Sequence, residues 1–384
     1  MKSIFKKITV ALLTGAMLFN LTACGGTSYT SENTEYVIGF SGPLTGDAAV
    51  YGVAVKNSAQ MAVDEINAAG GLNGVKFKLI ATDDTHDATK VATNYATMFE
   101  GGMQVSLGTV TTGPGLEFTK LSAEDNVFFL TPSASGDDIP ANDNGFQMCF
   151  ADGNQGKVAA DYVNSTGLKK IGIFYKSDDA YSNGIFKQFK ENLDTSIETV
   201  ETVFTGNAQD FSAQISTLKD CTFIFMPIYY QPASVFMTQA KDIIAKDAIY
   251  YGCDGFDGLA GQFEDFSIIP QEVSMLSHFD SNATSGAAAD FVKKYTEKYG
   301  ADTLNQFGAS AYDCVYAIYN AMKAAIDAGE DIDVTISATE LCDILKGQFT
   351  GGFTYSGVTG NNIKWEASGY VSKEAVKYTL KTAN

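Results

Sequence analysis

Gly108-Thr-Val-Thr-Thr-Gly-Pro-Gly115, an amphipathic run to Asn126, and then Val127-Phe-Phe-Leu-Thr-Pro-Ser-Ala-Ser135 together decide the fold. Val105-Ser-Leu107 just before this stretch and Val127-Phe-Phe-Leu130 within it read as short buried strands. Pro114 suits the first turn of a helix between them. Both strands then end in hydroxyl-rich loops, and in an open parallel sheet those ends face the ligand crevice. Free backbone N–H groups and hydroxyls at a helix start hold a small anion well. The expectation is that Thr112 and Ser135 grip the carboxylate of a small amino acid. Taken singly, each Ser or Thr more often does turn and cap work. The reading therefore rests on the two loops together.

The same rhythm extends outward in both directions. Tyr36-Val-Ile-Gly-Phe40 reads as a strand entering the turn-rich Ser41-Gly-Pro-Leu-Thr-Gly-Asp47. A helix over 51–69 carries Ala59, Ala62, Val63 and Ile66 on one face and stops at Gly70-Gly71. A strand follows over 75–82, and Asp83-Asp84-Thr85-His86-Asp87 caps a helix over 88–100. Downstream, strands are expected over 170–176, 199–204, 221–227, 249–253, 273–279 and 375–380. Later helices cover 286–299, 306–328 and 337–346. Strands alternating with helices predict an α/β fold with parallel sheets, here in two similar halves.

The chain opens with Lys2, Lys6 and Lys7, then runs uncharged and mostly apolar from Ile8 to Leu21. That length suits a secretory signal better than a membrane-spanning helix. Leu21-Thr-Ala-Cys-Gly25 resembles a bacterial lipoprotein processing site, which implies cleavage before Cys24 and lipidation of Cys24. Residues 1–23 would then be the signal peptide and 24–35 a Gly/Ser/Thr-rich tether. More than one acyl chain gives stable anchoring to the bacterial cell membrane, on its extracytoplasmic side.

Asp and Glu total 45 against 26 basic residues, a formal net charge of −19. Removing the leader takes it to about −22. This opposes binding to nucleic acid or to an anionic bilayer surface, and no nucleic-acid partner is expected. There is no arginine, so every basic residue is Lys. A carboxylate ligand must then be held by hydroxyls, backbone amides or Lys, without the bidentate guanidinium fork. Cys149, Cys221, Cys253, Cys314 and Cys342 are scattered and odd in number, against a disulfide framework or zinc site. They read as small buried apolar residues. His86 and His278 fall in different halves, so no metal site and no cofactor are expected. Neither a G-x-S-x-G elbow nor a G-x-x-x-x-G-K-[ST] loop is present, and no enzyme activity is expected.

Ile38-Gly-Phe-Ser-Gly-Pro-Leu-Thr-Gly46, Ala62-Val-Asp-Glu-Ile-Asn-Ala-Ala-Gly-Gly71, Asp83-Asp84, Phe129-Leu-Thr-Pro-Ser-Ala-Ser135, Tyr181-Ser-Asn-Gly184 and Ala311-Tyr-Asp313 occur in this order. The chain thereby resembles the branched-chain amino-acid binding proteins of ABC uptake systems, with the type I periplasmic-binding-protein fold. The resemblance implies two lobes joined by three crossings, near 150–153, 279–281 and 366–369. Lobe one would comprise 36–149 and 282–365, and lobe two 152–278 and 370–384. Ligand binds between the lobes, which close by hinge bending. By the same resemblance Thr112 and Ser135 meet the ligand carboxylate. The Ser133 carbonyl, Ser135 and Asp254 meet its ammonium. Tyr181 and Tyr230 reach in from lobe two, and Tyr51, Thr111 and Phe307 lie near the ligand side chain. Asp254 stands where relatives often carry Glu, one methylene longer. A disulfide of some relatives falls at His86 and Thr111 and is absent. The implied partners are an amino acid and an ABC permease, with the binding protein itself a monomer. A sensory binding protein acting through a receptor is the alternative, since the same fold serves there.

Overall fold

The computed structural model describes residues 32–383. The expected lipidation of Cys24, the leader and most of the tether lie outside the described residues. β1 (Tyr36–Gly42) is buried along its whole length, as a strand covered on both faces must be. It pairs in parallel with β2 (Phe77–Asp83) on one side and β3 (Val105–Ser106) on the other. β4 (Phe129–Thr131) and β5 (Gly145–Gln147) complete a parallel sheet of order β2-β1-β3-β4-β5. A second sheet holds β6 (Lys170–Lys176), β7 (Glu198–Phe204), β8 (Phe223–Met226), β9 (Ile249–Gly252), β10 (Glu272–Ser277) and β11 (Val376–Lys381). Its order is β11-β10-β9-β8-β6-β7, parallel except for β11 on β10. The architecture is α/β with two mostly parallel, doubly wound sheets, as the alternation implies.

Helices α1 (Ala49–Ala68), α2 (Val91–Glu100) and α3 (Thr112–Glu124) link the first strands. α4 (Asp152–Thr166), α5 (Ala180–Asn192), α6 (Ser212–Leu218) and α7 (Tyr230–Ala240) serve the second sheet. α8 (Gly286–Tyr299), α9 (Gln306–Asp327) and α10 (Ala338–Thr350) return to the first, with α9 laid along α1. α1 buries Tyr51, Val55, Ala59, Ala62 and Ile66, a stripe of three- and four-residue steps. Gly70 and Gly71, at φ +107° and +71°, end it where a side chain would be strained. The chain thus passes between the sheets three times: from β5 to α4, from β10 to α8, and from α10 to β11.

A buried carboxylate fastens the third pass. Asp313 of α9 accepts hydrogen bonds from the Tyr355 hydroxyl (3.0 Å), the N–H groups of Val358 (2.8 Å) and Thr359 (2.7 Å), and the Thr359 hydroxyl (2.5 Å). Lys373 Nζ reaches the same Thr359 oxygen. The five described cysteines are buried free thiols, which fits their reading as small apolar residues. β5 is the element that the sequence does not announce. Its three residues, Gly-Phe-Gln, carry no alternation, and the Gln147 side chain is spent on the carbonyls of Ala134 and Gly136.

Candidate ligand site between the two sheets

The loops after β3 and β4 bring Thr111, Thr112, Ser133 and Ser135 together, all buried. Thr111 holds the N-cap position of α3, but its hydroxyl pairs with His86 Nδ1 at 2.8 Å. Ser133 Oγ donates to the Val110 carbonyl at 2.7 Å. Thr112 and Ser135 do meet a carboxylate here, and it is the chain's own. Thr112 Oγ1 donates to Asp152 Oδ2 at 3.3 Å, and the Ser135 hydroxyl is turned to the same carboxylate. The Asp152 N–H returns to the Ser135 carbonyl at 2.7 Å. Asp152 is the first residue of α4, at the first pass between the sheets.

The second sheet supplies the facing wall. Asp179 N-caps α5 and so sets the position of Tyr181. The Tyr181 hydroxyl donates to Asp254 Oδ1 at 2.7 Å and accepts from Gly255 N–H at 2.9 Å. Asp254 opens a short 3-10 turn directly after β9, and its N–H is taken by Gln155 Oε1 at 2.9 Å. A β-carbon on Gly255 would stand 2.8 Å from the Tyr181 hydroxyl and 2.9 Å from the Ile228 carbonyl, so glycine is required there.

Aromatic rings bridge the two walls. Tyr51 of α1 donates its hydroxyl to the Gly255 carbonyl at 2.5 Å and accepts from Tyr230 N–H at 3.5 Å. Its ring meets those of Tyr230 and Phe307 edge-on, each at 4.9 Å. Val50 N–H points to the Tyr230 hydroxyl at 3.4 Å. Tyr229 stacks on Tyr181 at 4.5 Å and takes the edge of His86 at 5.2 Å. Asp257 Oδ2 accepts the Gln306 N–H at 2.9 Å, so a residue of the second wall helps to cap α9. Tyr51, Thr112, Ser135 and Tyr230 make hydrogen bonds from one half to the other, whereas the hydroxyls of Thr111 and Ser133 bond within the first half.

The electrostatics are unbalanced. Burial pushes the Asp254 carboxyl up to about 6, against the lowering effect of Tyr181, Gln155 and the Gly255 N–H. Burial, then the charge of Asp254, holds the Asp152 carboxyl well above its ordinary range. Asp254 Oδ2 is buried with no hydrogen-bond partner. Among the described residues no lysine forms an ion pair with either carboxylate. Sequence reading missed Asp152, Gln155, Tyr229 and His86 as members of this seam. Asp152 and Gln155, three apart at a helix start, look like ordinary first-turn residues, and only the packing of α4 against the β4 loop shows otherwise.

Two α/β lobes that close over polar groups from both sides define a class of protein that traps a small solute between its halves. The chain belongs to the periplasmic binding protein family, whose sequence profile matches residues 35–360. It is 30% identical over 359 residues to a Leu/Ile/Val-binding protein, BraC3, of Rhizobium johnstonii, covering 89% of this chain and 95% of that one. The branched-chain amino acid transporter substrate-binding protein LivJ from Streptococcus pneumoniae, solved with isoleucine, superposes with TM-score 0.78 at 26% identity. That match covers 91% of this chain and 96% of LivJ. A solute-binding protein from R. palustris solved with benzoate shares the fold at TM-score 0.76 and 17% identity, over 90% and 93% of the two chains.

Proposed function

We propose that this chain captures a neutral amino acid, Leu, Ile or Val first, between its lobes and presents it to an ABC permease. Lobe one is taken as 36–149 with 282–365, and lobe two as 152–278 with 370–384. The observation that carries the reading is the orphaned, buried Asp254 oxygen beside a seam rich in hydroxyls and rings, with no lysine among the described residues paired to it. A zwitterion leaving water needs both its charges met. Its ammonium suits Asp254 and the Ser133 carbonyl, and its carboxylate suits the hydroxyls and amides of Thr112 and Ser135. Tyr51, Thr111, Tyr230 and Phe307 enclose the side chain, and Tyr181 orients Asp254 from lobe two. An enclosed Leu-sized side chain contributes about 1.5–3 kcal/mol. Hydrogen bonds to each charged end add roughly 1.5–3 kcal/mol, together compatible with micromolar binding. Lipidated Cys24 and the tether 24–35 would hold the protein at the outer face of the cell membrane. A thermal-shift panel of the twenty amino acids on the full chain tests the reading. Branched-chain amino acids should raise the melting temperature most, and no shift with any amino acid at millimolar concentration would overturn it. Delivery is tested by uptake of labelled leucine, which deletion of the chain should abolish.

A further inference from the structure

We propose that a cavity between the second and third passes is a further ligand site, built for a small monocarboxylate with an apolar body. It shares no lining residue with the seam and does not depend on the amino-acid reading. Its volume is about 380 Å³, within the range of ordinary small-molecule pockets. The end of β10 supplies His278 and Phe279, the loop after α10 supplies Thr359 and Ile363, and the approach to β11 supplies Lys373. Val376 of β11 also lines it, and at 61% it is the most exposed of the large apolar residues described. Val376, Ile363 and Phe279 thus offer an apolar surface that runs from solvent into the cavity.

The polar groups of the cavity are short of acceptors. Lys373 is half-buried as a residue, with its ammonium deep among protein atoms, yet it forms no ion pair among the described residues. An ammonium can donate three hydrogen bonds, and the one it makes goes to the Thr359 hydroxyl at 2.5 Å. Its balancing charge, Asp313, already accepts from four donors. Burial pulls Lys373 down to about 8, so it is still a cation at neutral pH. His278 lies within the field of Lys373 and is held neutral, by burial first and by that charge second. Its Nε2 pairs with the Ser310 hydroxyl at 2.7 Å, while its Nδ1 is buried with no partner. When Nε2 accepts the Ser310 proton, Nδ1 is a ring N–H with nothing to receive it. A carboxylate brings two acceptor oxygens, one for each of these donors. Lys377, also in the lining, is already paired with Glu272 at 3.1 Å. Asp280 and Glu374 line the cavity too, but both are exposed, where water and salt screen them. On its other side Lys373 borders a cavity where it is the only cation against Asp137 and Glu366, which oppose an anion there. One buried cation suits a monocarboxylate better than a phosphate dianion, and no arginine is present to make up the difference.

Magnetic resonance on the full chain, labelled at its histidine nitrogens, tests this with benzoate, benzamide and inorganic phosphate as probes. The chain has only His86 and His278, so the two reporters separate the seam from this cavity. Benzoate should move the His278 ring signals to saturation and leave those of His86 in place. Benzamide has the same shape without the charge, and should bind at least tenfold more weakly, as should phosphate. Lys373→Met keeps the apolar stem, removes the ammonium and should weaken benzoate at least tenfold. Val376→Trp changes an exposed residue and fills the mouth of the cavity. It should weaken benzoate as much while the melting temperature holds, so the test survives if Lys373→Met fails to fold. The inference falls if His278 does not respond to benzoate at tens of millimolar, or if His86 responds in its place. It falls equally if benzamide or phosphate binds as tightly as benzoate, or if Val376→Trp binds benzoate like its parent.

Discussion

Replacing Asp254 by Asn should make the ligand-free protein more stable while it weakens ligand binding. The buried carboxyl is raised from 3.8 to about 6, chiefly by desolvation. That is about two pKa units, or about 3 kcal/mol of penalty once the group ionises. Asn keeps an oxygen for the Tyr181 hydroxyl, so the 2.7 Å bond survives. The change removes the charge and leaves the shape. The sign follows from linkage. A carboxyl raised in the folded state contributes stability that is fully present below about 3.8 and lost as pH rises through about 6. The variant's gain should therefore appear at pH 7.5 and shrink by pH 5. At about 2 °C per kcal/mol the melting temperature should rise by about 6 °C at pH 7.5. Leucine affinity should fall roughly ten- to a hundredfold, the worth of one hydrogen bond to a charged group. Paired melts with and without leucine at both pH values measure all of this. A variant that melts at or below its parent at pH 7.5, or that gains as much at pH 5, refutes the buried-charge argument. One that binds leucine like its parent refutes the site.

Thr112→Val should weaken amino-acid binding at least tenfold by calorimetry, because Val keeps the shape and drops the hydroxyl. Tyr51→Phe removes the donor to the Gly255 carbonyl and the acceptor for Tyr230, two bonds between the walls. It should cost about 1 kcal/mol of closure, seen as roughly fivefold weaker binding and a larger radius of gyration by solution scattering. Asp313→Ala strands four donors around one buried site, and should lower stability by about 3 kcal/mol in urea titrations. Asp84 is raised to about 6 like Asp254, whereas Asp83 and Glu65 are lowered by their hydrogen-bond donors. The first pair lose stability as pH rises through about 6, and the second as pH falls below about 4. The ligand-free melting temperature should therefore peak between these limits, and a maximum above pH 7 would contradict the assignment.

The fold was legible because its punctuation is local. Gly70-Gly71 after a three- and four-residue apolar stripe, and Pro114 beside two short apolar runs, mark ends that tertiary packing had no reason to move. Strand bounds were less legible. The run Val127-Phe-Phe-Leu130 contributes β4 only from Phe129, because Val127 and Phe128 are buried in packing before the ladder begins. The gathering of Thr111, Thr112, Ser133 and Ser135 in the loops after β3 and β4 was legible through loop chemistry. Asp152 was not, because an acidic residue in a first helical turn already has a sufficient local reason to be there. Its coupling to Asp254 spans more than a hundred positions, and no spacing rule reaches that far. Tyr229 was hidden by its neighbour: of two adjacent tyrosines, the sequence cannot say which one turns its ring toward Tyr181.

The buried carboxylates at the seam also give closure a reason to depend on the ligand. Bonds across the seam include Tyr51 to Gly255 and Tyr230, Val50 to Tyr230, Thr112 to Asp152, the Asp152 N–H to Ser135, and Asp257 to α9. Each contributes about 1 kcal/mol net. Against them stands the cost of keeping Asp152 and Asp254 dry, which parting the lobes would relieve by letting water in. A cost of about 3 kcal/mol on Asp254 alone corresponds to a population ratio of roughly a hundredfold. A ligand can shift an equilibrium only by its difference in affinity for the two states. An ammonium that met the orphaned Asp254 oxygen would supply that difference, because it would cancel a penalty that exists only in the closed form. A ligand with the same apolar side chain and no ammonium would gain the burial of that chain and leave the penalty in place. Selectivity and closure are on this argument one property of the buried carboxylates at the seam, with which no described lysine forms an ion pair.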